Sequence, residues 1–228
     1  MPCDESGVRR LILASGSPRR RQLLSLLGVP FVVKAAGVDE SRLYGEPPTE
    51  LVLRVSQAKA LAIRDVRPEE LVVAADTIVV LDGDILGKPS DPDDARQMLE
   101  RLRGRSHMVY SGVTLWHPAS RRMVSRLGES SVWMRDYGDD EIASYVDSND
   151  PMDKAGAYAI QHAEFDPVSH LEGCWLNVVG LPLCHLGQAL SRFGIYAPAN
   201  VPGTCRAFSQ QDCSVFSEIL KPGPNLSA

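Results

Sequence analysis

The run LVVAADTIVVL at residues 71–81 sets a carboxylate, Asp76, in the middle of the clearest strand signal in the chain. Its β-branched side chains read as a buried strand, and the Asp82-Gly83 pair that follows reads as a tight hairpin returning through residues 84–86. A charge inside such a strand costs free energy unless it is paired, hydrogen-bonded or bound to a cation. Asp76 is therefore either bonded to neighbouring backbone or a candidate general base or metal contact. In a regular pleat the next residue, Thr77, faces the opposite side of the sheet.

Strand and helix signals alternate around this segment. Residues 8–14 are a short apolar run, after which Ser17 and Pro18 supply an N-cap and a first helical residue. Leu23, Leu24, Leu26 and Leu27 form the buried side of that helix, and Gly28 closes it. Residues 48–63 predict a second helix with a stripe of Leu51, Val55, Ala58 and Ala62. At ~100° per residue, Lys59 falls beside Val52 at the edge of the stripe, where a lysine needs a reason. Asp91 caps a helix that ends at Gly104. Residues 109–116 and 123–134 predict paired strands, 139–146 a short helix, 171–179 a last strand and 183–193 a terminal helix. Hairpins between helical units imply a mixed α/β sheet rather than a parallel one. Residues 1–195 read as one folded unit. The C-terminal extension, 196–228, is rich in Pro, Ser, Gly and Asn and is expected to be loosely ordered.

Composition excludes several classes of function. With 44% hydrophobic and 23% charged residues the chain is neither disordered nor fibrous. A net charge of -5 argues against a nucleic-acid polymer as partner. No run approaches the ~18 to 20 apolar residues of a membrane span, and MPCDESGVRR lacks a long apolar h-region, so a cytoplasmic location is expected. The five cysteines contain no C-x-x-C pair and the five histidines no H-E-x-x-H spacing, which signals neither a disulfide framework nor a zinc site. G-x-S-x-G and G-x-x-x-x-G-K-[ST] are both absent.

What remains is equipment for a polyphosphate. ASGSPRR at 14–20 joins free backbone N–H groups at a helix start to two hydroxyls and the guanidiniums of Arg19 and Arg20. Lys88 lies between Gly87 and Pro89, and with Lys59, Arg19 and Arg20 it could neutralise most of a triphosphate. In DKAGAYAIQ, at 153–161, small residues suit a backbone packed closely on a ligand or neighbouring lobe. Gln161 there offers both a donor and an acceptor for a base edge.

Taken in order, ASGSPRR, AADT at 74–77, GKP at 87–89, DKAGAYAIQ and NVVGLPL at 177–183 resemble the Maf family of nucleoside triphosphate pyrophosphatases over residues 8–193. The resemblance implies an elongated mixed-sheet α/β fold of the Maf/inosine-triphosphatase type, with a cleft between two lobes and often a homodimer. It implies hydrolysis of a nucleoside triphosphate between the α and β phosphates and a need for a divalent cation, Mg²⁺ or Mn²⁺, without identifying the metal ligands. By position, Asp76 matches the proton acceptor, and Ser15, Arg20, Glu40, Lys59 and Lys88 match residues that hold phosphates and metal. Arg19, Thr77 and Gln161 match the branch that hydrolyses dTTP and UTP. The branch preferring 7-methyl-GTP typically carries a bulky aromatic residue where this chain has Arg19. One departure from the family pattern is His162-Ala163-Glu164-Phe165-Asp166-Pro167, where glycines usually follow Gln161. The alternatives are a pyrophosphatase for another base, such as 7-methyl-GTP, and a non-enzymatic regulator of septum formation.

Overall fold

The computed structural model describes residues 10–220. Val8 and Arg9 of the first expected strand, and residues 221–228 of the extension, lie outside the described residues. In chain order, β1 (Arg10–Leu13), α1 (Pro18–Ser25), β2 (Phe31–Val33) and α2 (Pro48–Ala62) lead to the long strand β3 (Glu70–Leu81) and its hairpin partner β4 (Asp84–Leu86). Next come α3 (Pro92–Leu102), β5 (Ser106–His117), β6 (Arg122–Met134) and α4 (Asp139–Asp147). Two 3-10 turns, Asp150–Asp153 and Ala155–Ala157, precede β7 (Val168–Gly173), α5 (Trp175–Val179), α6 (Leu183–Ser191), α7 (Val201–Ser209) and α8 (Phe216–Ile219).

The sheet runs β2-β1-β3-β5-β6-β7, with β4 also on β3. It is mixed: β1 is parallel to β2 and β3, and every other pairing is antiparallel. β5 covers one edge of β3 without a bulge. The other edge is shared, with β1 pairing residues 70–73 and β4 pairing residues 79–81. Residues 74–78 are thus left with a strand neighbour on one side only, and Asp76 and Thr77 lie inside that gap.

Alternate β3 side chains serve different layers, as a period of two requires. Val72 and Ala74 pack with Ala60, and Ile78 and Val80 with Leu51, Val52 and Val55, so α2 covers one face along its length. On the opposite face Leu71, Val73 and Ala75 pack with Leu23, Leu24, Leu176 and Leu186, whereas Val79 and Leu81 pack with Ala95, Leu99 and Ile142. These two clusters are the cores of the two lobes, and they part beside Thr77. Each fully buried leucine in them contributes about 1.5–3 kcal/mol.

Local chemistry sets the element ends as expected. Ser17 accepts from Arg20 N at the start of α1, Gly28 turns the chain at φ 69°, and Asp91 Oδ1 accepts from Asp94 N at 2.8 Å. Two expectations need correction. The segment 171–179 is not one strand: pairing stops at Gly173, where φ is 116°, and 175–179 form α5. An apolar run this short reads equally as strand or buried helix. The extension through residue 220 is also not loosely ordered. Asn200 caps α7, Val201 and Cys205 are buried, and Phe208, Phe216 and Ile219 pack on the same core. The Pro- and Ser-rich composition hid an apolar spacing of four and three residues. Among the described residues no helix is long and apolar enough to cross a membrane.

Candidate active site

The gap in β3 opens into a cleft of about 360 Å³ between the lobes. Arg19, Arg20, Glu40, Lys59, Asp76, Thr77, Lys88 and Gln161 all line it. Asp76 and Thr77 face opposite sides of the sheet, and both reach the cleft because it passes around the open strand edge.

On the α2 side, Lys59 Nζ donates to Asp76 Oδ1 at 2.7 Å and contacts Glu40 Oε1 at 2.8 Å. The buried carboxylate thus has a cationic partner rather than a backbone one. The edge position of Lys59 on its helix is explained by the same contact. Asp76 Oδ2 takes no hydrogen bond among the described residues. Glu40 comes from the loop 34–47, which is tied to α2 through Arg54: its guanidinium donates to Glu46 Oε1 at 2.6 Å, to Glu46 Oε2 at 2.9 Å and to the Ser41 carbonyl at 2.8 Å. The bond from Arg54 holds the Glu46 carboxyl below its usual pKa range.

On the other side Arg20 reaches three acceptors: Thr77 Oγ1 at 3.0 Å, the Gly180 carbonyl at 2.9 Å and Ser15 Oγ at 3.4 Å. Burial lowers its pKa, opposed by the carboxylates of Asp76 and Glu40, yet a guanidinium stays charged. Ser15 is buried behind Arg20, and the wall there is formed by Ser17 instead.

Arg19 ties the lobes together. Its Nη1 donates to both carboxylate oxygens of Asp153 at 3.0 Å, and Nη2 to the Asp153 carbonyl at 3.0 Å. Lys154 Nζ donates to the same Asp153 at 2.8 Å and to Asp150 Oδ1 at 2.9 Å. Burial pushes the Asp153 carboxyl up, but these cations outweigh it and the net shift is downward. Lys88 and Gln161 are exposed at the rim. The two motifs that carry them meet through Gly156 N and the Gly87 carbonyl, 3.0 Å apart. Gly156 has φ 70°, and a Cβ there would approach Val79 to 3.1 Å, so the small residues of DKAGAYA do serve close packing against a neighbour.

Ser17 is one of the two hydroxyls expected in the 14–20 loop, while sequence reasoning missed Lys154 and the groups behind Thr77, namely Ser111 and Asn177. Lys154 stood inside DKAGAYAIQ and Asn177 opened NVVGLPL, whereas Ser111 is one of several polar residues of β5, with Tyr110 and Thr114 close by, and carried no distinguishing signal. The donor set also suits a divalent cation. Glu40 and Asp76 reach one ammonium and so lie side by side, while no group of three or more His, Cys, Asp or Glu able to hold a metal occurs among the described residues. One or two carboxylates completed by substrate phosphates is how Mg²⁺ is usually bound.

Residues 10–193 match the family described as Maf-like protein. A dTTP/UTP pyrophosphatase of Pelotomaculum thermopropionicum is 43% identical over 187 residues, covering 82% of this chain and 98% of that protein. A dTTP/UTP pyrophosphatase of Syntrophus aciditrophicus is 44% identical over 185 residues, 81% of this chain and 90% of that one. A third, from Anaeromyxobacter dehalogenans, is 46% identical over 200 residues, 85% and 98% respectively. The solved structure of the Staphylococcus aureus Ham1 protein aligns with 57% of this chain and 74% of its own, at a TM-score of 0.40 and 17% identity. With its ordered motifs gathered around one cleft and residues 10–193 matched by the family, the chain belongs to the Maf-like protein family.

Proposed function

We propose that this chain is a nucleoside triphosphate pyrophosphatase that hydrolyses dTTP and UTP to the monophosphate and pyrophosphate with the help of Mg²⁺ or Mn²⁺. The observation that carries this reading is the Asp76–Lys59–Glu40 cluster, placed across one cleft from Arg20 and Lys88. Cations on both walls suit a polyphosphate, and the carboxylate between them suits a proton acceptor.

Phosphoryl transfer needs positioning and charge neutralisation more than covalent help. Arg20 and Lys88 bind the phosphate oxygens. Lys59 holds Asp76 Oδ1, which leaves Oδ2 directed to a water. That water attacks the α-phosphorus, its proton passes to Asp76 Oδ2, and the bond from that phosphorus to the α,β-bridging oxygen breaks with its electron pair leaving on pyrophosphate. Glu40 and Asp76 would hold the divalent cation, which supplies neutralisation and polarisation of phosphoryl oxygens when bound.

Support for a pyrimidine base comes from the relatives' names and from residue 19. The Arg19 guanidinium is engaged with Asp153 rather than offering an aromatic plane for stacking. A pyrophosphate-release screen over canonical and modified nucleotides, with Mg²⁺ and with Mn²⁺, tests the reading. dTTP and UTP are expected to be the best substrates. A higher kcat/KM for 7-methyl-GTP would overturn the base assignment, and a folded protein releasing no pyrophosphate from any nucleotide would favour the regulatory alternative.

A further inference from the structure

We propose that Ser111 is a positioning residue for base choice: it fixes the Thr77 hydroxyl proton inward, so that Thr77 meets the nucleobase as an acceptor and selects a base whose ring nitrogen carries a hydrogen. This rests on the pyrophosphatase reading above.

Thr77 and Ser111 are direct cross-strand partners in β3 and β5, and their hydroxyl oxygens are 2.8 Å apart. Ser111 Oγ also lies 2.9 Å from the Asn177 carbonyl oxygen, and Arg20 Nη2 lies 3.0 Å from Thr77 Oγ1. Each hydroxyl has a single proton, a carbonyl can only accept, and a guanidinium can only donate. If Ser111 gave its proton to Thr77, two lone pairs would face each other across 2.9 Å at Asn177. Ser111 therefore donates to Asn177, and Thr77 in turn donates to Ser111, leaving Thr77 to accept from Arg20. The chain of bonds runs one way, from Arg20 through Thr77 and Ser111 to the Asn177 carbonyl.

The far end of this chain is immobile. Asn177 is fully buried, and its Nδ2 donates to the Val109 carbonyl and to Ser130 Oγ, both at 3.0 Å. Ser111 is fully buried as well, whereas Thr77 lines the cleft. The Gly180 carbonyl, 3.4 Å from Thr77 Oγ1, is the longer alternative acceptor, and with either one the single Thr77 proton stays within the protein. The cleft thus meets an oxygen lone pair at Thr77, not a proton.

An acceptor there cannot hold a phosphate oxygen, because both would present lone pairs. It fits a donor. Uracil and thymine carry a hydrogen on N3 between two carbonyls, while cytosine presents a bare N3, which would leave two acceptors facing each other. A site that pairs one edge rejects the analogue that leaves its polar groups unpaired.

The test measures kcat/KM for UTP and CTP, which share a sugar and a triphosphate, in the wild type and in Ser111→Ala, Thr77→Val and Thr77→Ser. Ser111→Ala frees the Thr77 hydroxyl to rotate and donate, so the UTP-to-CTP ratio is expected to fall at least tenfold. Thr77→Val is expected to lower the ratio too, and Thr77→Ser to keep it. Equal losses on UTP and CTP with an unmoved ratio in Ser111→Ala would overturn the proposal, since a purely structural defect gives that pattern. If Ser111→Ala fails to fold by thermal melting, Thr77→Val decides by the same criterion. A wild type inactive on UTP and dTTP overturns the underlying reading and the proposal with it, whereas an active wild type with an unmoved ratio overturns the proposal alone.

Discussion

Gly112 is the cross-strand partner of Asp76, and a Cβ built on it would lie 2.5 Å from the Val52 carbonyl oxygen. The close approach of α2 to β5 at this point brings Lys59, two turns further along the helix, onto the Asp76 carboxylate. Gly112→Ala would push against helix backbone rather than a flexible side-chain end. Overpacking of this kind costs about 1–3 kcal/mol. The variant is expected to melt at lower temperature and to lose turnover at temperatures where it is still folded, measured by circular dichroism and pyrophosphate release. Full activity would show that the Lys59–Asp76 contact tolerates a displaced helix.

Replacing Asp76 by Asn keeps an oxygen for Lys59 and removes the proton acceptor. Turnover is expected to fall by at least ~10²-fold, the lower end for a lost general base, with the melting curve little changed. Wild-type rates in the folded variant would take Asp76 out of the mechanism.

Lys88 and Gln161 both sit at the rim, yet their losses are expected to differ in kind. Lys88→Ala should lower kcat/KM for all triphosphates about equally, because phosphate contacts carry no base information. Gln161→Ala should instead erode the preference among bases more than it slows the best substrate. A base-dependent effect of Lys88, or a uniform one of Gln161, would reverse the assignment of the two ends of the cleft.

The parts of this site that were legible in the sequence are those where a residue violates its local pattern. Asp76 inside an apolar strand and Lys59 beside an apolar stripe each needed a partner, and they proved to be each other's. Periodicity could also place Thr77 on the far face from Asp76. It could not show that both reach one cleft, because that follows from the unpaired edge at 74–78, a property of which strands end where. Ser17 was legible as the N-cap of α1, but only the turn decides which of Ser15 and Ser17 lines the wall. The split of 171–179 into β7 and α5 was hidden for a related reason: Gly173 was visible, but its positive φ was not.

His107 offers a pH test away from the cleft. It lies in β5, buried, with Nε2 2.7 Å from the Tyr158 hydroxyl, and burial pushes its pKa down to about 4. Between about pH 6.5 and 4 the unfolded chain binds a proton that the folded chain refuses, so this group's contribution to stability falls as the pH falls through that window. From pH 7 to pH 5 the loss is about 2 kcal/mol. Urea unfolding at the two pH values should show a smaller drop for His107→Asn than for the wild type. Identical drops would mean that His107 titrates normally in the folded protein.

The extension makes a prediction opposite to the one its composition suggests. Val201 and Cys205 of α7 are buried in the lobe built on α1, α5 and α6, and Gln188 Nε2 of α6 donates to the Ile219 carbonyl in α8 at 2.8 Å. Ending the chain at residue 197 exposes apolar surface on α6. With each buried apolar side chain contributing about 1.5–3 kcal/mol, the loss is on the order of 5 kcal/mol, enough to lower Tm by many degrees. None of residues 196–220 lines the cleft, so kcat/KM for dTTP should be retained at temperatures where the truncated protein remains folded. Thermal melting and pyrophosphate release on the same sample separate the two effects. An unchanged Tm would show that α7 does not belong to this core, and a normal Tm with lost activity would place the extension in contact with the catalytic cleft.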